Sequence, residues 1–249
     1  MHDYQAPEGL LKDKVILVTG ASDGIGRAAA IEYARLGASV ILLARDQNKL
    51  AQVYDGIEEL DAPQPAMIPL DLAIAGPEQY QMLAGMIERE FGHLDGILHN
   101  AALLGPITPL EQYEDGTWDQ VMAVNLRAPF LLTQALLPLL RKADHASVIF
   151  TSSSVGRVGR AYWGAYAVSK AGLESLCQIW AQELGQLTRI RFNCINPGAT
   201  RTAMRKNAYP AENPENLRRP EAILGLYTYL MGADSLHVQG LSLDAQPDL

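Results

Sequence analysis

Apolar residues in this chain gather in short unbroken runs, separated by longer stretches in which they recur every three or four positions. The unbroken runs lie at 15–19, 39–43, 66–70, 96–99, 147–151, 191–195 and 241–243. The helical periodicity covers 24–36, 46–60, 77–91, 117–142, 163–187 and 220–232. A strand that is apolar at every position is covered on both faces, as in a parallel sheet between two helix layers. Regular alternation of the two patterns predicts an α/β fold: a doubly wound parallel sheet of about seven strands with helices on both faces. No repeat, low-complexity tract or linker divides the sequence. It reads as one domain, 1–249, with 1–10 an N-terminal extension.

Two segments break the rhythm. Residues 103–116, rich in Gly and Pro, follow the fourth strand, and residues 199–219, with Pro210, Pro214 and Arg218-Arg219, follow the sixth. Ligands of open parallel sheets sit beyond the carboxyl ends of the strands, where both segments emerge. They are read as the walls of a substrate site, with 199–219 as the substrate loop.

Composition narrows the function classes. Hydrophobic residues make up 48% and charged residues 19%, enough apolar content for a large core. A net charge of −8 lacks the basic footprint of a nucleic-acid binder. The two cysteines, Cys177 and Cys194, show neither metal-ligand spacing nor a disulfide framework, so no metal is expected. Both are read as core residues, as is His99 at an apolar strand end. The first residues lack the basic and apolar regions of a signal peptide. The apolar segment 121–140 contains Asn125, Arg127, Pro129, Gln134 and Pro138 and is not expected to cross a membrane; the prolines suggest kinks. A cytoplasmic protein is the expectation.

The first strand runs into Thr19-Gly20-Ala21-Ser22-Asp23-Gly24-Ile25-Gly26. Gly20, Gly24 and Gly26 allow a tight turn, close approach of backbone N–H groups to phosphate, and close helix–strand packing. Ser22, Asp23 and Ile25 complete the turn. A glycine-rich stretch alone is weak; a strand before it and an amphipathic helix after it make it a dinucleotide site. The second strand ends Leu42-Leu43-Ala44-Arg45. NAD calls for a carboxylate here and NADP for a cation, and Arg45 supplies the cation. NADP is therefore favoured, with NAD the alternative, because Asp46 could reach the ribose and Asp23 is acidic.

Tyr166 and Lys170 stand four residues apart, on one helix face. Alone this means little: ten tyrosines and six lysines in 249 residues give roughly one chance pairing in four such chains. Its weight comes from the Ser-rich strand end Thr151-Ser152-Ser153-Ser154 and from Asn125. Carbonyl reduction needs a hydride and a proton for the developing alkoxide, and a phenol beside an ammonium can supply the proton. Lowering a phenol by about three units takes about 4 kcal/mol, within reach of one close cation in a partly dry site. Tyr166 is read as general acid or base, Lys170 as its tuning cation, and a serine as hydrogen-bond donor to the substrate oxygen. Strand alternation leaves open which of three serines acts. Arg157 and Arg160 are read equally as anion contacts or as solvated loop charges.

These motifs resemble those of the short-chain dehydrogenase/reductase family over about residues 10–245. The glycine spacing Gly-x-x-x-Gly-x-Gly and the Ser–Tyr–Lys–Asn set carry the likeness. More narrowly, Thr151-Ser152-Ser153-Ser154-Val155-Gly156-Arg157, Asn193-Cys194-Ile195-Asn196-Pro197-Gly198 and Asp244-Ala245-Gln246-Pro247 are similar to a YciK-type branch of bacterial oxidoreductases. The resemblance implies a Rossmann-type sheet of order 3-2-1-4-5-6-7 and an NAD(P)-dependent oxidoreductase acting on a carbonyl or alcohol of a small to medium organic substrate. Its thirteen-residue interval to Tyr166 selects Ser153. It gives Lys170 a hold on the nicotinamide ribose, and Asn125 a water linking Lys170 to solvent. Asp71 and Leu72 would edge the adenine, Asn100 and Ala101 would line the cofactor, and Pro197, Gly198, Thr200 and Thr202 would hold the nicotinamide end. Ala102 departs from the family's Gly, and Asp244-Ala245-Gln246 departs from its usual ending. A homodimer or homotetramer is implied. The alternatives are a 3-oxoacyl carrier-protein or thioester reductase and a non-catalytic NADP-binding sensor or scaffold.

Overall fold

The computed structural model describes residues 3–246; Pro247, which closes one of the quoted motifs, lies outside them. Seven parallel strands form one sheet in the order β3-β2-β1-β4-β5-β6-β7. They are β1 (Val15–Thr19), β2 (Ser39–Ala44), β3 (Ala66–Pro69), β4 (Gly96–His99), β5 (Ala146–Thr151), β6 (Ile190–Asn196) and β7 (Ser242–Asp244). Every residue of β1, β4, β5 and β6 is buried, as the unbroken apolar runs require.

Helices α1 (Gly24–Arg35), α2 (Gln47–Glu58) and α3 (Pro77–Phe91) follow the first three strands. α4 (Asp115–Met122) continues through a π-helical turn, Ala123–Arg127, into α5 (Ala128–Leu140). α6 (Ser154–Arg157) and the long α7 (Gly164–Leu184) follow β5; α8 (Ala203–Ala208) and α9 (Leu224–Met231) follow β6. Two apolar layers sandwich the sheet. One contains Tyr33, Leu42 and Tyr227, the other Leu132, Phe150 and Phe192. The reversal of strand order between β1 and β4 opens a crevice at their carboxyl ends, where a ligand site is expected.

Three expectations change. The stretch 117–142 is not one regular helix, because the π turn interrupts it; π turns of this kind often mark functional positions. Pro138 sits inside α5 without ending it. Asp115–Leu140, with an 18-residue window of mean hydropathy 1.3, is long and apolar enough to cross a membrane by length and composition alone. Here 56% of that window is buried in the fold, and α5 packs on α3. Finally, 199–219 is not a plain loop but carries α8 and a 3-10 turn at Pro214–Asn216.

Candidate active site

Gly20, at φ +67°, turns the chain out of β1, and an added Cβ would lie 2.9 Å from the Ala101 Cα. A Cβ on Gly26 would strike the Gly20 carbonyl, so α1 meets the turn backbone to backbone. Below, the Thr19 hydroxyl accepts from the N–H groups of Asn100 (3.0 Å) and Ala101 (3.1 Å), tying the ends of β1 and β4 together. Thr19 is a positioning residue that the sequence reading passed over, although it opens the motif. Asp23 caps α1, its Oδ1 accepting from Gly24 N–H at 2.6 Å, and Lys49 Nζ lies 3.5 Å from its other oxygen. Ser22 is half-buried beside it and Ile25 is buried. These three glycines leave a cradle of bare backbone at a helix N-terminus, a surface that fits a pyrophosphate.

At the end of β2, Ala44 is buried and Arg45 is exposed. Among the described residues Arg45 has no ion pair or hydrogen bond, so its guanidinium is free for a phosphate. Asp46 caps α2, its Oδ1 accepting from Lys49 N–H at 3.0 Å, and its other oxygen makes no bond among the described residues. Asp71 holds its own turn by accepting from Ala73 N–H at 2.9 Å, and Leu72 is buried.

Ser153, Tyr166 and Lys170 come together at the carboxyl end of β5. Ser152 is buried, its hydroxyl sealed without a partner, and Ser154 is exposed on α6. Of the three, Ser153 is the one whose hydroxyl acts on the Tyr166 phenol. Burial pushes the Tyr166 phenol up to about 12, and the Ser153 hydroxyl draws it partly back. No regular hydrogen bond joins these two hydroxyls, yet the phenol oxygen is not among the polar atoms sealed from solvent. Lys170 Nζ donates to the Thr151 carbonyl at 2.7 Å and lies 5.6 Å from the centre of the Tyr166 ring. Burial brings this ammonium down to about 8, against the neighbouring Cys194 and Glu174. The expected lowering of the phenol by Lys170 is therefore not met by these groups alone: burial raises it, and the one group acting against burial is the Ser153 hydroxyl.

The Asn125 side chain is fully spoken for. Its Oδ1 accepts from Leu103 N–H (2.7 Å), and its Nδ2 donates to the Leu103 carbonyl (2.9 Å) and the Ser169 hydroxyl (3.0 Å). It clamps the segment after β4 to α7. Four residues on, Pro129 has no N–H to offer its backbone carbonyl.

The far wall begins at Gly198, φ +70°. The buried Thr200 hydroxyl donates within the Pro197–Gly198 turn, and Thr202 caps α8 with its methyl facing Gly24. Gln246 Nε2 donates to the carbonyls of Pro197 (2.8 Å) and Ala199 (3.1 Å), so the unusual ending braces this wall. An apolar cluster of Val155, Tyr166 and Ala167 is lined by Ala102, Leu104, Trp163 and Met204. The Ala102 methyl thus adds to the wall, and Trp163 and Met204 are site residues that no motif signalled. Arg157 is removed from anion binding by its 2.7 Å pair with Asp244. His99 is buried, bonded to Thr133 (2.8 Å) and stacked on Phe150, which holds it neutral. A cleft of about 380 Å³ lies between the glycine turn and α8, lined by Gly24, Arg27, Thr202 and Tyr209 but not by Tyr166.

The depressed lysine has a measurable signature. Near 8 in the folded chain against an ordinary 10.5, Lys170 holds fewer protons folded than unfolded between those values, so stability climbs as pH rises through that window. Between pH 7.5 and 9.5 the wild type is expected to gain about 2 kcal/mol over Lys170→Met in denaturant melts. Parallel pH profiles for the two proteins would refute the shift.

A family model for short chain dehydrogenases matches residues 14–213. The chain is 54% identical over 247 residues to the uncharacterized oxidoreductase YciK of Escherichia coli (strain K12), covering 99% of this chain and 97% of that one. A short chain dehydrogenase structure from Pseudomonas syringae is 56% identical with a TM-score of 0.96, covering 98% of this chain and 99% of that chain. A short chain dehydrogenase from Shigella flexneri 2a, solved in complex with NADP, is 53% identical with a TM-score of 0.94, covering 97% and 100%.

Proposed function

The chain belongs to the short chain dehydrogenase family, and from that premise we propose that it is an NADP(H)-dependent oxidoreductase acting on a carbonyl or alcohol of a small to medium organic molecule. The observation that carries this reading is the Ser153–Tyr166–Lys170 arrangement opposite a glycine cradle whose neighbouring Arg45 is free. The pyrophosphate would lie on Gly20, Ser22, Asp23, Gly24, Ile25 and Gly26, with Asp71, Leu72, Asn100 and Ala101 along the adenosine half. Pro197, Gly198, Thr200 and Thr202 would hold the other end. The Shigella neighbour's NADP supports the same choice. NADPH, when bound, supplies the hydride.

The chain's own groups handle the proton. Ser153 donates a hydrogen bond to the substrate oxygen and fixes it against Tyr166. Tyr166, held protonated by burial, gives its proton to the alkoxide as it forms. Lys170 stabilises the phenolate left behind, and the Asn125 carbonyl holds a water through which Lys170 recovers a proton. Residues 1–249 act as one domain, in the cytoplasm. A homodimer or homotetramer is supported by Phe130, Val168 and Ile179, apolar side chains exposed on α5 and α7.

Cofactor choice is tested at Arg45. Replacing it by Ala is expected to weaken NADPH by about tenfold or more while leaving NADH within about twofold, as befits one charge-assisted phosphate contact. Titration of each cofactor by fluorescence reads both constants. An unchanged NADPH/NADH ratio removes the assignment of Arg45.

A further inference from the structure

From Tyr166 an aromatic wall runs outward to a cation that no acid among the described residues neutralises. Trp163 lies 5.7 Å from Tyr166, and Tyr209 of the substrate loop lies 6.0 Å from Trp163, all between ring centres. Tyr209 is fixed on its face by the Arg205 guanidinium, 3.9 Å away, and at its hydroxyl by Arg160 Nη1, 3.0 Å away. The cations here differ sharply. Arg205 is forked onto Glu212, Arg201 onto Glu215, and Arg157 is paired with Asp244. Among the described residues Arg160 has no carboxylate partner. Its one bond, to Tyr209, leaves four of five N–H donors open.

The loop that carries Arg160 is built at a cost. Tyr162 has φ +73°, a region that disfavours a bulky side chain. Its carbonyl accepts from Thr108 N–H (3.2 Å), and the Arg160 carbonyl accepts from Trp163 N–H (3.2 Å). The strained turn sends Tyr162 out, 57% exposed, and sets Trp163 on the apolar cluster. Strain held by surrounding contacts is found where position matters.

Building on the redox reading above, we propose that the substrate pairs its reacting carbonyl or alcohol with an anionic group, a carboxylate or phosphate, at the far side of an apolar, ring-sized spacer. The spacer lies along Trp163 and Tyr209, and Arg160 takes the anion as a fork. Arg160 is a specificity-determining residue, remote from the proton transfer. In a chain of net charge −8, this guanidinium without a carboxylate partner gives anions a local positive site.

The probes are 3-(4-formylphenyl)propanoate, its methyl ester, and 4-formylphenyl phosphate, each assayed with NADPH. The wild type is expected to favour the two anions over the ester by about tenfold in kcat/KM, the size of one charged contact at an exposed site. Arg160→Gln should erase that preference, lowering kcat/KM for the two anions by more than for the ester, with NADPH binding unchanged. The relative gains of carboxylate and phosphate identify which anion the site suits. Equal use of acid and ester, or a preference that survives Arg160→Gln, overturns the anion site while leaving the oxidoreductase intact. Anion binding to the NADP complex, followed by tryptophan fluorescence, separates the two readings. Arg160-dependent binding without turnover keeps the anion site and sinks the redox step, and absence of both sinks both.

Discussion

Tyr166→Phe is expected to bind NADPH as tightly as the parent and to reduce carbonyl compounds roughly 10³-fold more slowly, the loss typical of removing a positioned acid. The change deletes one oxygen. The ring, which packs in the apolar cluster with Val155 and Ala167 and touches Trp163, stays in place. A phenol near 12 is fully protonated at neutral pH, which suits donation in reduction. Used as a base in oxidation, it must come down by about five units, or about 7 kcal/mol, and that task falls to Lys170 together with the positive charge of the oxidised cofactor. Stopped-flow oxidation of NADPH with a panel of aldehydes and diketones, beside a binding titration, reads both quantities. Turnover within tenfold of the parent would mean that the alkoxide finds its proton elsewhere.

Gly26→Ala is the second large effect, and it acts on the cofactor rather than the proton. The added methyl meets the Gly20 carbonyl and would lie 2.6 Å from Asn100 Nδ2. The Gly20 backbone cannot retreat cheaply, because its N–H donates to the Leu43 carbonyl at 2.8 Å, and the Asn100 amide can move only by leaving the Thr151 hydroxyl, 3.4 Å from its Oδ1. The turn must open, so NADPH affinity is expected to drop roughly 100-fold and stability by about 1–3 kcal/mol, as for other overpacked sites. Gly56→Ala in α2 is the matched control, because a Cβ there meets nothing within 4 Å. It should gain about 0.5–1 kcal/mol from helix propensity and leave affinity alone. A folded Gly26→Ala protein with normal NADPH affinity would show that the cradle is not the phosphate site.

What could be read in advance was what local chemistry dictates. The unbroken runs gave the strands because burial on both faces leaves no polar position. The glycine spacing marked the turn because a side chain at Gly20 or Gly26 has nowhere to go. The cap at Asp46 was legible too, because an Asp just before a helical stretch is first of all an N-cap. Other features depend on distant partners and left no local trace. Arg157 and Arg160 look alike in sequence and are told apart by Asp244 and Tyr209, far along the chain. Trp163 and Met204 are unremarkable hydrophobes until α7 and α8 bring them to one wall. The π turn escapes a periodicity test because it shifts the helix phase by a single residue. The balance of burial against charge at Tyr166 needs its surroundings, which sequence does not supply.

Gln246 gives the fold a temporal order. The glycine turn leaves the ribosome early, whereas the brace on Pro197 and Ala199 is translated more than two hundred residues later. The wall that faces the glycine turn is therefore braced only once synthesis has passed residue 246.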